Sequence, residues 1–173
     1  IGDGMVGHWA AQTLAHRGAR VMLLGRHEER LALYTRRPGD LLLNTRRQDP
    51  VEAARDWAPE GLQAVIDTVG SVRDIERFMD QFRRFGHIVS AGFHGTRGLI
   101  DIQPLRNREL SLHAPAGWTK ERMDATLDLV ARGVLRTTHL ITHHFPLERA
   151  PEAFDLILSR REHVLGVILD WSV

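Results

Sequence analysis

Three glycines near the start of the chain have the spacing of a phosphate-binding loop. They fall in the run Gly2-Asp3-Gly4-Met5-Val6-Gly7. A pyrophosphate needs backbone N–H groups close to its oxygens and the positive end of a helix dipole. We expect Gly2 to allow a tight turn, Gly4 to allow close approach of the phosphates, and Gly7 to let a helix pack on a sheet. The spacing therefore predicts a dinucleotide site that includes Met5 and Val6.

The segments around this loop are those that such a site requires. The alanine-rich stretch 8–16 favours a helix, and Gly18 is placed to end it. The apolar run Val21-Met22-Leu23-Leu24 then indicates a buried strand. The strand that should precede Gly2 is represented by Ile1 alone, so we expect a truncated first strand, as in a fragment of a longer protein.

Helix and strand patterns alternate along the rest of the first 117 residues. Because parallel strands must be joined by crossovers, this alternation predicts an α/β fold with a doubly wound parallel sheet, a Rossmann fold. After Thr119 the patterns indicate an amphipathic helix, an extended piece, a last helix and a final strand. The predicted strands are 21–24, 41–44, 64–70, 87–92, 110–113 and 164–169, and the predicted helices begin near Glu28, at Asp49-Pro50, at Ser71 or Asp74, at Thr119 and near Ala150.

Composition excludes several classes of function. The 173 residues are 43% hydrophobic and 26% charged, and the formal net charge of +1 gives no reason to expect a nucleic acid or an anionic membrane as a partner. Cysteine is absent, which excludes disulfides and thiolate chemistry within this chain. No stretch approaches the ~20 apolar residues of a membrane span, and there is no signal-peptide pattern. We expect a cytoplasmic protein.

Three groups of residues together resemble a known family. They are the glycine loop, the strand-and-turn units 64–70 and 86–92, and the tail 140–147 with Glu152-Ala153-Phe154. On these residues the chain resembles the carboxyl-terminal portion of a medium-chain dehydrogenase/reductase, and it is most similar to the zinc-dependent alcohol and polyol dehydrogenases. The tail is the most specific part, because a generic dinucleotide domain has no reason to carry it.

The resemblance implies how the chain is divided and what it lacks. Residues 1–117 correspond to the dinucleotide-binding Rossmann domain, and 118–173 to the carboxyl-terminal part of the catalytic domain. The family's zinc ligands and proton-relay residues lie upstream of Gly2. No catalytic or metal-binding residue is therefore assigned to this chain, zinc is expected only on the missing amino-terminal domain, and this portion alone is expected to be inactive.

The residues after strand 21–24 predict the cofactor. This strand is the second of the fold, because Ile1 represents the first. NAD-preferring members carry an acidic residue there, which binds the ribose hydroxyls and repels a 2′-phosphate. Gly25 occupies this position, Arg26 follows it, and Arg30 matches a position at which the family often contacts the adenosine end. Arginine can bind a phosphate through two hydrogen bonds. We therefore predict NADP(H) over NAD(H), with NAD(H) still possible and a solvated Arg26 as the alternative.

Small residues after two later strands match family positions along the path from adenosine to nicotinamide. Such residues allow a flat ring to lie against the backbone, although a tight strand–helix turn is the alternative for each. At Gly166, members often have a basic residue, so no pyrophosphate contact is assigned there. The matching positions are Thr68, Val69, Gly70, Ala91 and Gly92.

Other polar residues are weaker candidates for a functional site. His139, His143 and His144 have a spacing that would place two of them on one face of a helix, but Pro146 favours an extended segment, so we do not assign a metal site. Asp67 at the end of a buried strand is expected to orient a turn. Tyr34 is the only tyrosine, and Pro38 stands four residues beyond it, so the Tyr-x-x-x-Lys pair of short-chain dehydrogenases is absent.

The sequence thus predicts part of an oxidoreductase that transfers hydride between NADP(H) and a small-molecule alcohol/carbonyl pair. Two alternatives stay open: a zinc-free quinone or enoyl reductase of the same superfamily, and a nucleotide-sensing regulatory module, although such modules usually have an acidic residue at the position of Gly25 and lack the 140–147 tail. The substrate cannot be identified from this chain. A homo-oligomer is expected, with dimers formed through the edge strand 110–113.

Overall fold

A computed structural model describes residues 1–95, 98–159 and 161–171. It contains parallel strands flanked by helices, which confirms the predicted α/β class. The helices are α1 (Met5–His16), α2 (Glu28–Leu31), α3 (Pro50–Trp57), α4 (Val72–Glu76), α5 (Ile102–Asn107), α6 (Lys120–Ala131) and α7 (Ala150–Ser159). The strands are β1 (Met22–Gly25), β2 (Leu41–Asn44), β3 (Leu62–Asp67), β4 (Phe82–Ser90), β5 (Ser111–His113), β6 (Ile141–Pro146) and β7 (Gly166–Asp170).

The strands form three parallel groups. β1 pairs with β2, β4 lies between β3 and β5, and β6 pairs with β7. The first two residues join the first two groups. Gly2 N–H donates to Leu24 O at 2.8 Å, the Ile1 nitrogen donates to Ile66 O at 2.6 Å, and Ile1 O accepts from Thr68 N–H at 3.0 Å. Below this bridge, a cleft of about 990 Å³ lies between β1 and β3.

Apolar side chains are buried on both faces of the sheet. Leu23 packs with Ala11, Leu31 and Tyr34 beneath α1 and α2, whereas the next residue, Leu24, packs in a larger core beneath α3, α4 and α5. Successive residues of a strand point to opposite faces, so adjacent leucines can fill two cores. This arrangement explains why the predicted strands are continuous apolar runs rather than alternating ones.

Four helices begin at residues whose side chains accept backbone N–H groups. Asp49 caps α3, with Pro50 in its first turn as predicted, and Ser71 rather than Asp74 caps α4. Thr119 caps α6. Asp101 caps α5, a helix that the sequence patterns did not indicate because its six residues are too few to show a period.

Several element bounds differ from the predicted ones. The predicted helix after Glu28 is a single turn, because the chain folds back at Tyr34, whose hydroxyl donates to Oδ2 of buried Asp40 at 3.1 Å. β4 begins five residues earlier than expected, at Phe82, which is fully buried in the larger core. The extended piece predicted for 138–147 is a strand only from Ile141, after a turn of 3-10 helix at 138–140.

The segment after residue 117 contacts α1 through polar groups. The Gln12 amide donates to Arg136 O at 3.2 Å and accepts from Arg136 N–H at 2.7 Å. α6 has no buried residue, and apolar side chains on it and on α7 are exposed, among them Leu127 and Phe154. Within the described residues, no helix is long and apolar enough to cross a membrane.

Candidate functional site

The glycine loop crosses the carboxyl ends of β1 and β3, where open α/β sheets bind ligands. Gly2 has a φ of +117°, which favours glycine, and a Cβ on it would lie 3.1 Å from Cγ2 of Val69. A Cβ on Gly7 would lie 2.9 Å from the carbonyl carbon of Gly2 and 3.4 Å from Oγ1 of Thr68. Gly7 was expected to allow packing on the sheet. Its nearest neighbours are the turn itself and Thr68, the residue that directly follows β3.

Gly4 is the open position of the loop. It precedes α1 with extended backbone, and a Cβ built on it would meet nothing within 4 Å. The first N–H that bonds within the helix belongs to His8, which donates to Gly4 O at 3.0 Å. The earlier N–H groups, those of Met5, Val6 and Gly7, have no hydrogen-bond partner in the part of the chain that the structure describes.

The start of α1 differs from the starts of the other described helices. It has neither a capping side chain nor an acidic residue in its first turn. The helices α3 to α6 are capped by side chains, and α2 and α7 have glutamates in their first turns. An uncapped helix of twelve residues leaves donors and a positive dipole end for an anion. The position can therefore hold a pyrophosphate.

Asp3 is a buried acid that the sequence patterns did not single out. Its side chain turns toward the end of β1, where Oδ2 accepts from Arg26 N–H at 2.7 Å and from His27 N–H at 2.9 Å. Nδ1 of His27 lies 3.0 Å from the same oxygen. Burial raises the pKa of Asp3, but these hydrogen bonds outweigh burial and hold it below its usual value. The end of β1 thus has a carboxylate, although no acidic residue belongs to the strand.

The two arginines predicted to meet the adenosine end are in different situations. The Arg26 side chain is exposed and has no hydrogen bond or ion pair among the described residues. Arg30 donates from Nε to Nδ1 of His163 at 3.0 Å and from Nη2 to Val164 O at 3.0 Å. Arg26 can therefore receive a ligand without losing a partner. Arg30 already connects the corner, which is the group formed by Asp3 and residues 25–30, to the loop before β7.

The turns after β3 and β4, predicted to border the cofactor, pack against each other. Gly70 has a φ of +86°, and a Cβ on Gly92 would lie 2.7 Å from Cα of Gly70. Ala91 N–H donates to Asp67 O at 2.8 Å. Val69 is half exposed, and Thr68 contacts the glycine loop. The structure therefore brings the predicted positions of both turns together beside the loop, and their contact with a cofactor stays a prediction.

Asp67 is fully buried and holds the first of these turns. Its carboxylate accepts N–H groups from Val69, Gly70 and Ser71 at 3.0 to 3.3 Å. The expectation that Asp67 orients a turn is confirmed. His94, which no pattern indicated, lies next to it, with Nε2 2.6 Å from Oγ of Ser90.

Metal ligands are not clustered in this part of the molecule. His143 and His144 lie on β6, where adjacent side chains point to opposite faces. Among the described residues, no group of three or more histidine, aspartate, glutamate or cysteine side chains could hold a metal ion. The donor set on the described residues therefore does not fit zinc.

A family model described as zinc-binding dehydrogenase matches residues 5–132. The chain belongs to the zinc-binding dehydrogenase family. It is 28% identical over 174 residues to an L-threonine 3-dehydrogenase from Saccharopolyspora erythraea, and this match covers 99% of the chain but 50% of that protein. The resemblance predicted from the sequence is confirmed.

Solved structures share the fold of this zinc-binding dehydrogenase chain. An alcohol dehydrogenase from Escherichia coli CFT073, complexed with NADH, matches 98% of the chain and 50% of its own chain, with a TM-score of 0.82 and 20% identity. A zinc-binding dehydrogenase from Sinorhizobium meliloti 1021, bound to NADP, matches 96% of the chain and 49% of its own, with a TM-score of 0.78 and 24% identity. The chain spans about half the length of the curated relatives that match nearly all of it.

Proposed function

We propose that this chain is the cofactor-binding portion of an oxidoreductase that transfers hydride between NADP(H) and an alcohol/carbonyl pair. The observation that carries the proposal is the uncapped start of α1 beside open Gly4. The N–H groups of Met5, Val6 and Gly7 would hold the pyrophosphate there, because a buried or half-buried donor needs an acceptor. The nicotinamide ring, when bound, accepts or supplies the hydride.

Arg26 supports the phosphorylated form of the cofactor. Gly25 has no side chain that would accept the ribose hydroxyls, and Arg26 extends into solvent without a partner among the described residues. A guanidinium can bind a 2′-phosphate through two hydrogen bonds, which a hydroxyl cannot match. Structural neighbours that hold NADH and NADP are both known, so the fold alone does not discriminate between them.

The turns after β3 and β4 would orient the nicotinamide end. A Cβ on Gly92 would overlap the backbone of Gly70, and one on Gly70 would overlap the backbone of Phe93, so neither position can carry a side chain and a backbone surface is left beside the glycine loop. Asp67 fixes that surface through three backbone N–H groups. These residues would position the ring and exclude water from one of its faces, and they would not transfer a proton themselves.

Residues 118–173 would belong to the catalytic domain. α6 has no buried residue, and the exposed apolar side chains of this segment, including Trp118, Leu127, Phe154 and Leu158, give it a surface suited to packing on further protein. The relatives are about twice as long as this chain, and zinc and the proton relay would lie in the remaining half. The cleft between β1 and β3 would take the rest of the first strand.

A dimer would form through β5. All three of its residues, Ser111–His113, are exposed, and among the described strands only β4 pairs with it, so one row of backbone groups is open. Such an edge can pair with the same edge of a second copy.

Titration of the full-length protein with NADPH and NADH, followed by nicotinamide fluorescence, tests this function. We expect both to bind, with NADPH tighter by about tenfold, a difference of ~1.4 kcal/mol in binding free energy. Binding of neither nucleotide would refute the proposal and favour a chain that has lost its cofactor. Loss of alcohol oxidation after zinc chelation would support the alcohol dehydrogenase, whereas activity that survives complete metal removal would favour a quinone or enoyl reductase. A protein that binds nucleotide but oxidises no alcohol and reduces no carbonyl would favour the regulatory module.

A further inference from the structure

The carboxylate of Asp3 lies in the space that a side chain at position 25 would need. A Cβ built on Gly25 would lie 2.5 Å from Cβ of Asp3 and 2.7 Å from its Cγ. Real Cβ atoms do not come this close to other heavy atoms, and the neighbour is a buried side chain whose Cβ cannot move without the loop backbone. An acidic residue at position 25 is therefore incompatible with Asp3.

Asp3 also takes up the backbone donors of the corner. Its Oδ2 accepts from both Arg26 N–H and His27 N–H, so a 2′-phosphate could not use these groups. Its Oδ1 lies 3.8 Å from a guanidinium nitrogen of Arg30. The side chain is 9% exposed, so its charge is only partly screened by water. Asp3 thus places a negative charge beside the position that the 2′-phosphate of the adenosine ribose would occupy.

We propose that Asp3 is a specificity-determining residue, coupled to Gly25, which limits the preference for NADPH that Arg26 creates. The proposal rests on the function proposed above. A carboxylate from the glycine loop, rather than from the strand end, repels the 2′-phosphate, while Arg26 attracts it. The pair Asp3 and Gly25 replaces a single acidic residue at the end of the strand, and changing either residue alone alters the corner.

Substitution of Asp3 by asparagine isolates the charge. Asparagine keeps the shape and one acceptor oxygen for the N–H groups of Arg26 and His27, but it removes the negative charge. For Asp3→Asn we expect the ratio of NADPH to NADH affinity to rise about fivefold, as removal of a like charge a few ångströms from a phosphate requires. An unchanged ratio, or one that falls, would overturn the role of the charge.

Substitutions of Gly25 isolate the steric coupling. Gly25→Asp alone should weaken both nucleotides at least tenfold and lower the melting temperature, because its Cβ meets Cβ of Asp3. The double variant Asp3→Ala with Gly25→Asp retains that Cβ contact and should remain defective. The double variant Asp3→Gly with Gly25→Asp removes it, and should melt at a higher temperature than Gly25→Asp alone and bind NADH more tightly than NADPH.

The two double variants make the result decisive even where Gly25→Asp does not fold. Recovery with glycine but not with alanine at position 3 supports the coupling. Equal behaviour of the two double variants, or normal nucleotide binding by Gly25→Asp alone, would overturn it. If the wild type binds neither nucleotide, the proposed function fails, whereas melting temperatures still report whether Asp3 and Gly25 are coupled.

Discussion

Nε of Arg30 donates a hydrogen bond to Nδ1 of His163 over 3.0 Å, and the two residues are 133 positions apart in the chain. The bond requires a neutral His163, because a protonated ring has no acceptor nitrogen. Burial first, and then the charge of Arg30, lower the pKa of His163. Arg30 therefore connects the predicted adenosine corner to the segment before β7, and its predicted contact with adenosine would compete with this connection.

We expect Arg30→Gln to lower the free energy of unfolding by about 1 kcal/mol, because it removes two hydrogen bonds in a mostly buried place. It should weaken NADPH more than NADH by only about twofold, because the guanidinium is held by His163 and Val164 O and its charge is offset by Asp3. Urea unfolding and parallel titrations measure both effects, with exposed Arg83→Gln as the control. A selective loss of NADPH affinity of about tenfold or more would mean that Arg30 leaves His163 and binds the 2′-phosphate itself.

Arg26→Asp should move the preference toward NADH. The exposed guanidinium has no partner among the described residues, so its replacement should leave the melting temperature unchanged while NADPH affinity falls about tenfold or more. Arg55→Asp on the exposed face of α3 makes the same change in charge elsewhere on the surface. Equal effects of the two substitutions would show that only net charge matters, and no effect of Arg26→Asp would place the 2′-phosphate elsewhere.

Alanine at Gly4 and at Gly7 should separate binding from folding. At Gly4 a methyl group meets no protein atom within 4 Å, so Gly4→Ala should fold normally and weaken either nucleotide about tenfold or more. At Gly7 the methyl group would overlap the backbone of Gly2, so Gly7→Ala should cost about 2 kcal/mol or more in stability. Melting temperatures and NADPH titration provide the two readouts. Unchanged NADPH affinity in Gly4→Ala would contradict a pyrophosphate at this position.

His8 should make stability depend on pH. It is fully buried in the first turn of α1, and neither ring nitrogen has a hydrogen-bond partner among the described residues. Burial is the main cause that lowers its pKa from the usual 6.5. The unfolded chain therefore binds a proton at a higher pH than the folded one. The contribution of neutral His8 to the free energy of unfolding should be fully present above pH 6.5. It should decrease as the pH falls from there toward the lower pKa of the folded state.

Urea unfolding of wild type and His8→Leu from pH 8 to pH 5 tests this dependence. The variant should lose less stability over this range, and His163, whose pKa is lowered by burial, should account for part of the slope that remains. Parallel curves for wild type and His8→Leu would show that His8 is already protonated or bonded in the folded state.

Local sequence patterns predicted much of the fold, because strand runs, turns and helix starts depend on residues that are adjacent in the chain. The bounds of β2 and the start of α3 followed from an apolar run between turns and from Asp49 followed by Pro50. The glycine loop was predicted to open a helix, and it does, because such spacing has few structural solutions. The glycine loop, the two strand-and-turn units and the tail together indicated the family, and the match to zinc-binding dehydrogenases over residues 5–132 confirms that family.

Tertiary structure decided which residues meet at the predicted adenosine corner. Asp3 precedes Gly25 by 22 positions and His163 follows Arg30 by 133, and no period or motif relates such residues. The sequence shows that β1 ends without an acidic side chain, but only the folding of the glycine loop onto β1 brings the carboxylate of Asp3 there. The reason is physical: side-chain types and their spacing fix local conformation, whereas contacts between distant segments depend on how whole elements pack.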